Sequence, residues 1–91
     1  MHTINKLTVS SYYALKSDLA CYPHKVVIAV PTLTNKLVEA ICQVLSLPVN
    51  PKQKSWGFRH ESHIGIEIYC ADPVDSALLT LHLNDLERIG K

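Results

Sequence analysis

The sequence predicts an α+β fold: a small two-layer sandwich in which a three-stranded sheet, or a four-stranded one if the N-terminal segment joins it, carries two or three helices on one face. Three observations lead there. Trp56, Phe58 and His60 alternate with Ser55, Gly57 and Arg59, and Ile64, Ile66, Ile68 and Cys70 alternate with Gly65, Glu67 and Tyr69. Strict alternation is what strands with one buried face require, because successive side chains leave opposite faces. Residues 25–30 are a nearly unbroken β-branched run, and residues 33–47 carry an apolar stripe at helical spacing. Ninety-one residues make one globular domain, over 1–91. A chain of that length buries only about 60–65% of its unfolded surface, so its core is small.

The elements follow in order. Ile4, Leu7 and Val9 suit a short edge strand or a packed arm. Ser10 and Ser11 can cap a helix carrying Tyr12, Tyr13, Leu15, Leu19 and Ala20, which Pro23 ends. The run at 25–30 reads as a central strand covered on both faces, stopped by Pro31. Thr32 or Thr34 then caps a helix over about 33–47, with Leu33, Leu37, Ala40, Ile41, Val44 and Leu45 on its inner face. Pro48, Asn50 and Pro51 make a rigid loop before the hairpin.

The hairpin's parity constrains its turn. If the even-numbered residues of both strands face the core, paired positions must sum to an even number, and the loop must be odd. The segment 61–63 satisfies this, and sets Phe58 beside Ile64 or Ile66. Arg59 and Glu67 then share the open face and are expected to pair across the strands. Arg59→Ala should accordingly be a mild surface change.

After Ala71 two patterns compete. Asp72, Pro73 and Asp75 look like a helix start, whereas Leu79, Leu81 and Leu83 alternate like a strand. A helix over 73–88 is favoured because Leu predominates. It has two stripes: Val74, Ala77, Leu78 and Leu81, and then Leu79, Leu83 and Leu86. One sheet face cannot cover both, so the second is assigned to another helix or to a second subunit.

The net charge of +1 hides an asymmetry. Residues 1–60 hold seven Lys/Arg against two Asp/Glu, and residues 61–91 two against six. Either the surface is dipolar, or the two segments neutralise each other across the fold. Cys21, Cys42 and Cys70 are an odd number with no close pair, which points to reduced thiols and a cytoplasmic setting, with Cys42 and Cys70 acting as small core hydrophobes. The longest apolar run, 26–30, is far too short to span a membrane, and no leader peptide is evident.

Catalytic motifs are not apparent. His60, Glu61, Ser62 and His63 form the densest polar cluster, but lack the ligand spacing of a zinc site, so no metal or other cofactor is expected. Cys21 and His24 sit in a Pro-containing turn with no oxyanion donor in evidence. The three glycines cannot build a phosphate cradle. Lys52, Lys54, Arg59, His60 and His63 interleave with Trp56 as in single-strand nucleic-acid binders, yet Trp56 shares the core face and the pI of 7.8 is modest. The sequence thus points to a non-enzymatic protein-binding module, a small standalone inhibitor or regulator docking on a larger partner and able to form a homodimer. Lys52, Lys54, Arg59, His60, His63, Tyr12, Tyr13, Leu79 and Leu83 are the candidate contact residues, and nucleic-acid binding through Lys52, Lys54, Arg59 and the hairpin tip is the alternative.

Overall fold

The computed structural model describes residues 9, 11–47, 55–61 and 65–90. The predicted N-terminal arm apart from Val9, the Pro-rich loop, and the predicted hairpin turn apart from Glu61 fall outside them. A 3-10 helix (Lys16–Ala20) leads into β1 (His24–Ile28), α1 (Asn35–Val44), β2 (Trp56–Glu61), β3 (Gly65–Cys70), α2 (Pro73–Leu81) and α3 (Leu83–Gly90). The strand order is β1-β3-β2, and β3 is antiparallel to both neighbours. β1 and β2 therefore run parallel, α1 crosses between them, and β3 fills the gap, a split βαβ arrangement. The predicted α+β class holds.

Register explains why the even face is buried. Trp56, Phe58 and His60 oppose Cys70, Ile68 and Ile66, and Val26 and Ile28 oppose Ile68 and Ile66 from the other side. The parity argument holds, since every β2–β3 pair sums to an even number. The expected pairing is two residues off: Phe58 faces Ile68, not Ile64 or Ile66, because Glu61 still pairs, with Gly65. Parity requires an odd loop without choosing among odd loops. Gly65 anchors the end of the ladder. Its φ is +142°, and a Cβ there would lie 2.4 Å from the Ile28 carbonyl oxygen and 2.8 Å from the Val30 nitrogen. Only glycine tolerates both the backbone and the approach.

Two expectations are corrected here. The β-branched run forms an edge strand, not the central one; β3 takes the middle. β1 alternates between buried Val26 and Ile28 and half-buried Val27, so only one of its faces is covered. β-branched richness marks a strand but not its place in the sheet. The predicted helix does not run on from Tyr12 either: among the described residues Val9 and Ser11 are helical, 12–15 are not, and Lys16–Ala20 turn as a 3-10 helix. Residues 12–14 lie alongside β2 instead. The Ala14 N–H donates to the Phe58 carbonyl at 2.9 Å, and the Phe58 N–H donates to the Tyr12 carbonyl at 2.9 Å, in a parallel bridge. These bonds satisfy the outer side of Phe58 and outweigh local helix preference. Gly57 makes room: a Cβ there would sit 2.9 Å from that of Ala14.

α1 forms much as its sequence dictates. The Thr34 hydroxyl accepts from the Leu37 N–H at 3.2 Å, closing the first turn. Ser46, at φ +57°, ends the helix: the Leu47 and Ser46 N–H groups reach back to the Cys42 and Gln43 carbonyls. Leu37, Val38, Ile41 and Cys42 are buried against the sheet's even face. Below them Tyr12 stacks on Trp56 with ring centroids 4.3 Å apart, and the Tyr12 hydroxyl lies 3.8 Å from the Cys42 sulfur. Asp72 caps α2 through the Val74 N–H at 2.9 Å, with Pro73 in the first turn. The C-terminal segment is two helices rather than one: His82, at φ −102° and ψ 15°, leaves helical geometry and interrupts it.

The face assignment has a direct test. Phe58→Ala should cost about 3–5 kcal/mol by emptying a core site. Arg59→Ala should cost about 1.5–3 kcal/mol, the worth of a charged hydrogen bond to a backbone carbonyl, and toward the lower end because Arg59 is only half-buried. Denaturant melts of the two variants measure both. Equal losses would contradict the assignment.

Candidate interaction surface

The C-terminal helices decide which apolar residues remain at the surface. Leu79 and Leu86 are wholly buried, and Leu83 packs against the same core. Their stripe continues to Gly90, which lies against Val30. The other stripe faces outward: Val74 is 61% exposed, Leu81 is 80% exposed, Ala77 is exposed and Leu78 half-buried. The sequence expectation is inverted. Leu79 belongs to the chain's own core and is not at the surface, while Leu83 is half-buried against that core. Val74 and Leu81 are the surface residues that the sequence reading placed inside. The signal was present: Leu79, Leu83, Leu86 and Gly90 run the whole segment, whereas the positions one and two turns beyond Leu81 are Asp85 and Arg88. A stripe that turns charged cannot follow a core.

Beside this stripe, α1 and α3 leave a cleft of about 380 Å³, lined by Ala40, Val44, Leu86 and Ile89 together with Gln43, His82 and Asp85. Leu81 adjoins it through His82. Asp85 pairs with Arg88 at 3.1 Å, and Glu87 accepts the Ala29 N–H at 3.0 Å, tying α3 to the end of β1. Asp72 and Asp75 stand close at the start of α2. Burial first, and then the charge of Asp72, push the Asp75 carboxyl up from its usual value.

The uncovered face of the sheet carries Lys25, Val27, Arg59, Glu67 and Tyr69. Arg59 does oppose Glu67, as expected, but their side chains take other partners. The Arg59 guanidinium donates to the Ala14 carbonyl at 2.7 Å and lies 5.3 Å from the centre of the Tyr13 ring. Glu67 accepts from Lys25 at 3.3 Å and from the Tyr69 hydroxyl. The Tyr69 hydrogen bond, then the hydrogen bond and charge of Lys25 and the charge of Arg59, hold the Glu67 carboxyl below its usual value; partial burial opposes them. The Lys25–Glu67 pair joins the basic and acidic parts of the sequence, so the two do neutralise each other at this point.

The remaining candidate residues scatter. Tyr12 is buried and is not a surface contact, while Tyr13 is exposed and meets Phe58 edge-on. His60 is exposed at the end of β2, edge-on to Phe58, with its Nε2 3.4 Å from the Thr32 hydroxyl. Lys52, Lys54 and His63 lie outside the described residues. Among the described residues no group of three or more His, Cys, Asp or Glu side chains could hold a metal ion. None of the described helices is long and apolar enough to cross a membrane. The cysteines are free: Cys42 and Cys70 are buried and Cys21 is exposed. Burial, then Asp75 and Asp72, push the Cys70 thiol up to about 12. Burial also raises Cys42, against hydrogen bonds from Tyr12 and Trp56.

Compared with known protein families, curated proteins and solved structures, the chain matches none.

Two outcomes follow from these environments. A thiol reagent at neutral pH should modify one cysteine in the native protein, Cys21, and all three in denaturant; rapid native modification of Cys70 would contradict its burial. Because the folded-state pKa of Glu67 is depressed, its stabilisation is fully present above the unfolded carboxylate value of about 4.3 and is lost as pH falls through the lower folded one. Glu67→Gln should therefore lose less stability than wild type between neutral and acid pH, measured by denaturant melts. An unchanged acid limb would contradict the assignment.

Proposed function

We propose that this chain is a non-enzymatic protein-binding module, a small inhibitor or regulator that docks on a larger protein in a reducing compartment such as the cytoplasm. One observation carries the reading: α2 leaves Val74, Ala77 and Leu81 exposed, with Leu78 half-buried between them and the core. A well-capped helix with a leucine 80% exposed at the end of a two-turn stripe presents apolar surface that a partner can bury. Leu79 and Leu86 are the buried core residues of the two C-terminal helices, and of the stripe Leu78 alone packs against that core. The polar Asp75, His82 and Asp85 beside it supply the rim that gives such a contact orientation. Free buried thiols with no disulfide among them suit a reducing setting.

The nucleic-acid reading draws less support. Arg59, its central cation, is held by the Ala14 carbonyl and the Tyr13 ring, with the Glu67 carboxylate opposite. A phosphate would have to compete with all three.

The test compares immobilised wild type with Leu81→Glu, using extract from the organism that encodes the chain. A stoichiometric protein retained by wild type and lost with Leu81→Glu is the expected result. Tight, strongly salt-dependent binding to generic single-stranded RNA or DNA, indifferent to Leu81→Glu, would overturn the reading.

A further inference from the structure

The geometry points to a second copy of this chain as the occupant of the exposed α2 stripe in the free protein, in a weak twofold dimer. The inference rests on the binding-module reading and names what covers that surface when no larger partner is present.

Self-complementarity is the first argument. Val74, Ala77, Leu78 and Leu81 are spaced symmetrically about the midpoint between Ala77 and Leu78. When two copies of α2 lie antiparallel across a twofold axis at that midpoint, Val74 of one meets Leu81 of the other, and Ala77 meets Leu78. Large residues cover the ends, and the small Ala77 sits near the axis, where helices approach most closely. A twofold contact of this kind uses one patch on both molecules and closes without leaving a free end.

Charge supplies the second argument. One end of the stripe is acidic: Asp72 and Asp75 stand together at the start of α2, and burial, then the charge of Asp72, push the Asp75 carboxyl up. Among the described residues no ion pair joins either carboxylate to a cation. At about 100° per residue, Asp75 and His82 lie on the same flank of the stripe, one at each end. In an antiparallel pair like flanks meet, so Asp75 of one copy approaches His82 of the other, twice per dimer. A parallel pairing would set the acidic ends together. The chain's net charge of +1 adds little general repulsion between copies.

The size of the surface sets the affinity. A nine-residue helix is only about 14 Å long. It offers far less than the roughly 800 Å² per partner of a durable interface, so the dimer is transient. A larger partner that also reaches the α1–α3 cleft would displace it.

Sedimentation equilibrium of wild type is the test, from about ten to several hundred micromolar, the range for a contact of this size. Wild type should shift from monomer to dimer across it. Leu81→Glu should remain monomeric at every concentration, with an unchanged thermal melt because the side chain it replaces is solvent-exposed. Orientation has its own readout. In a Cys21→Ser background, Val74→Cys and Leu81→Cys proteins mixed under mild oxidation should form disulfide dimers far faster than either alone. Wild type that stays monomeric throughout, dimerisation that survives Leu81→Glu, or crosslinking equally fast in the unmixed proteins would each overturn the dimer. A partner captured by wild type but not by Leu81→Glu, together with a monomeric wild type, would reject the second copy as occupant and leave the binding-module reading standing.

Discussion

The alignment of β2 against β3 is the constraint on which the rest of this structure depends. With Phe58 opposite Ile68 and Trp56 opposite Cys70, every even-numbered side chain of the hairpin shares one face. That face, extended by Val26 and Ile28 of β1, is the floor on which the three helices rest. A slip of one residue would put Arg59 on the same face as Ile66 and Ile68 and turn Trp56 and Phe58 away from it. No helix could then be seated. The middle position of β3 compounds the effect, since the same residues must match a neighbour on each side.

The remaining contacts hang from this alignment. This parity aims Trp56 inward, and its ring is the surface on which Tyr12 stacks beneath Cys42. The same strand offers the Phe58 backbone outward, where residues 12–14 bond to it. The N-terminal segment is therefore held twice, by its backbone to the edge of β2 and by the Tyr12 ring to the core. Arg59 then reaches the Ala14 carbonyl from the opposite face. At the far end of the ladder Gly65 lets the end of β1 close over the start of β3.

What the sequence makes legible is what short-range rules govern. Alternation gave both hairpin strands and their buried face. Thr34 and the apolar stripe that follows gave α1, and Asp72 with Pro73 gave the start of α2. What stayed hidden depends on partners distant in sequence. Tyr12 to Ala20 has acceptable helix spacing, yet the free backbone of Phe58, more than 40 positions later, recruits residues 12–14 into an extended bridge. The 25–30 run reads as a strand, but its place at the sheet edge is a matter of strand order, which no local pattern records. The candidate surface was half legible. Two apolar stripes on the last helical segment were evident, together with the need for another helix or a second subunit to cover one of them. Which one depended on Leu79, Leu83 and Leu86 continuing toward Val30, and the inverted choice misplaced the contact residues. Tyr12 was misplaced for a related reason: adjacent tyrosines must point differently, but only the stack on Trp56 decides which goes in.

The central claim is the two-sided environment of Ile68, and nuclear Overhauser contacts measured on the labelled protein test it most directly. The account predicts cross-strand contacts from Ile68 to Phe58 on one side and to Val26 on the other, with His60 paired to Ile66. Contacts from Phe58 to Ile66 or Ile64 in place of Ile68, or an Ile68 with a strand neighbour on one side only, would contradict it.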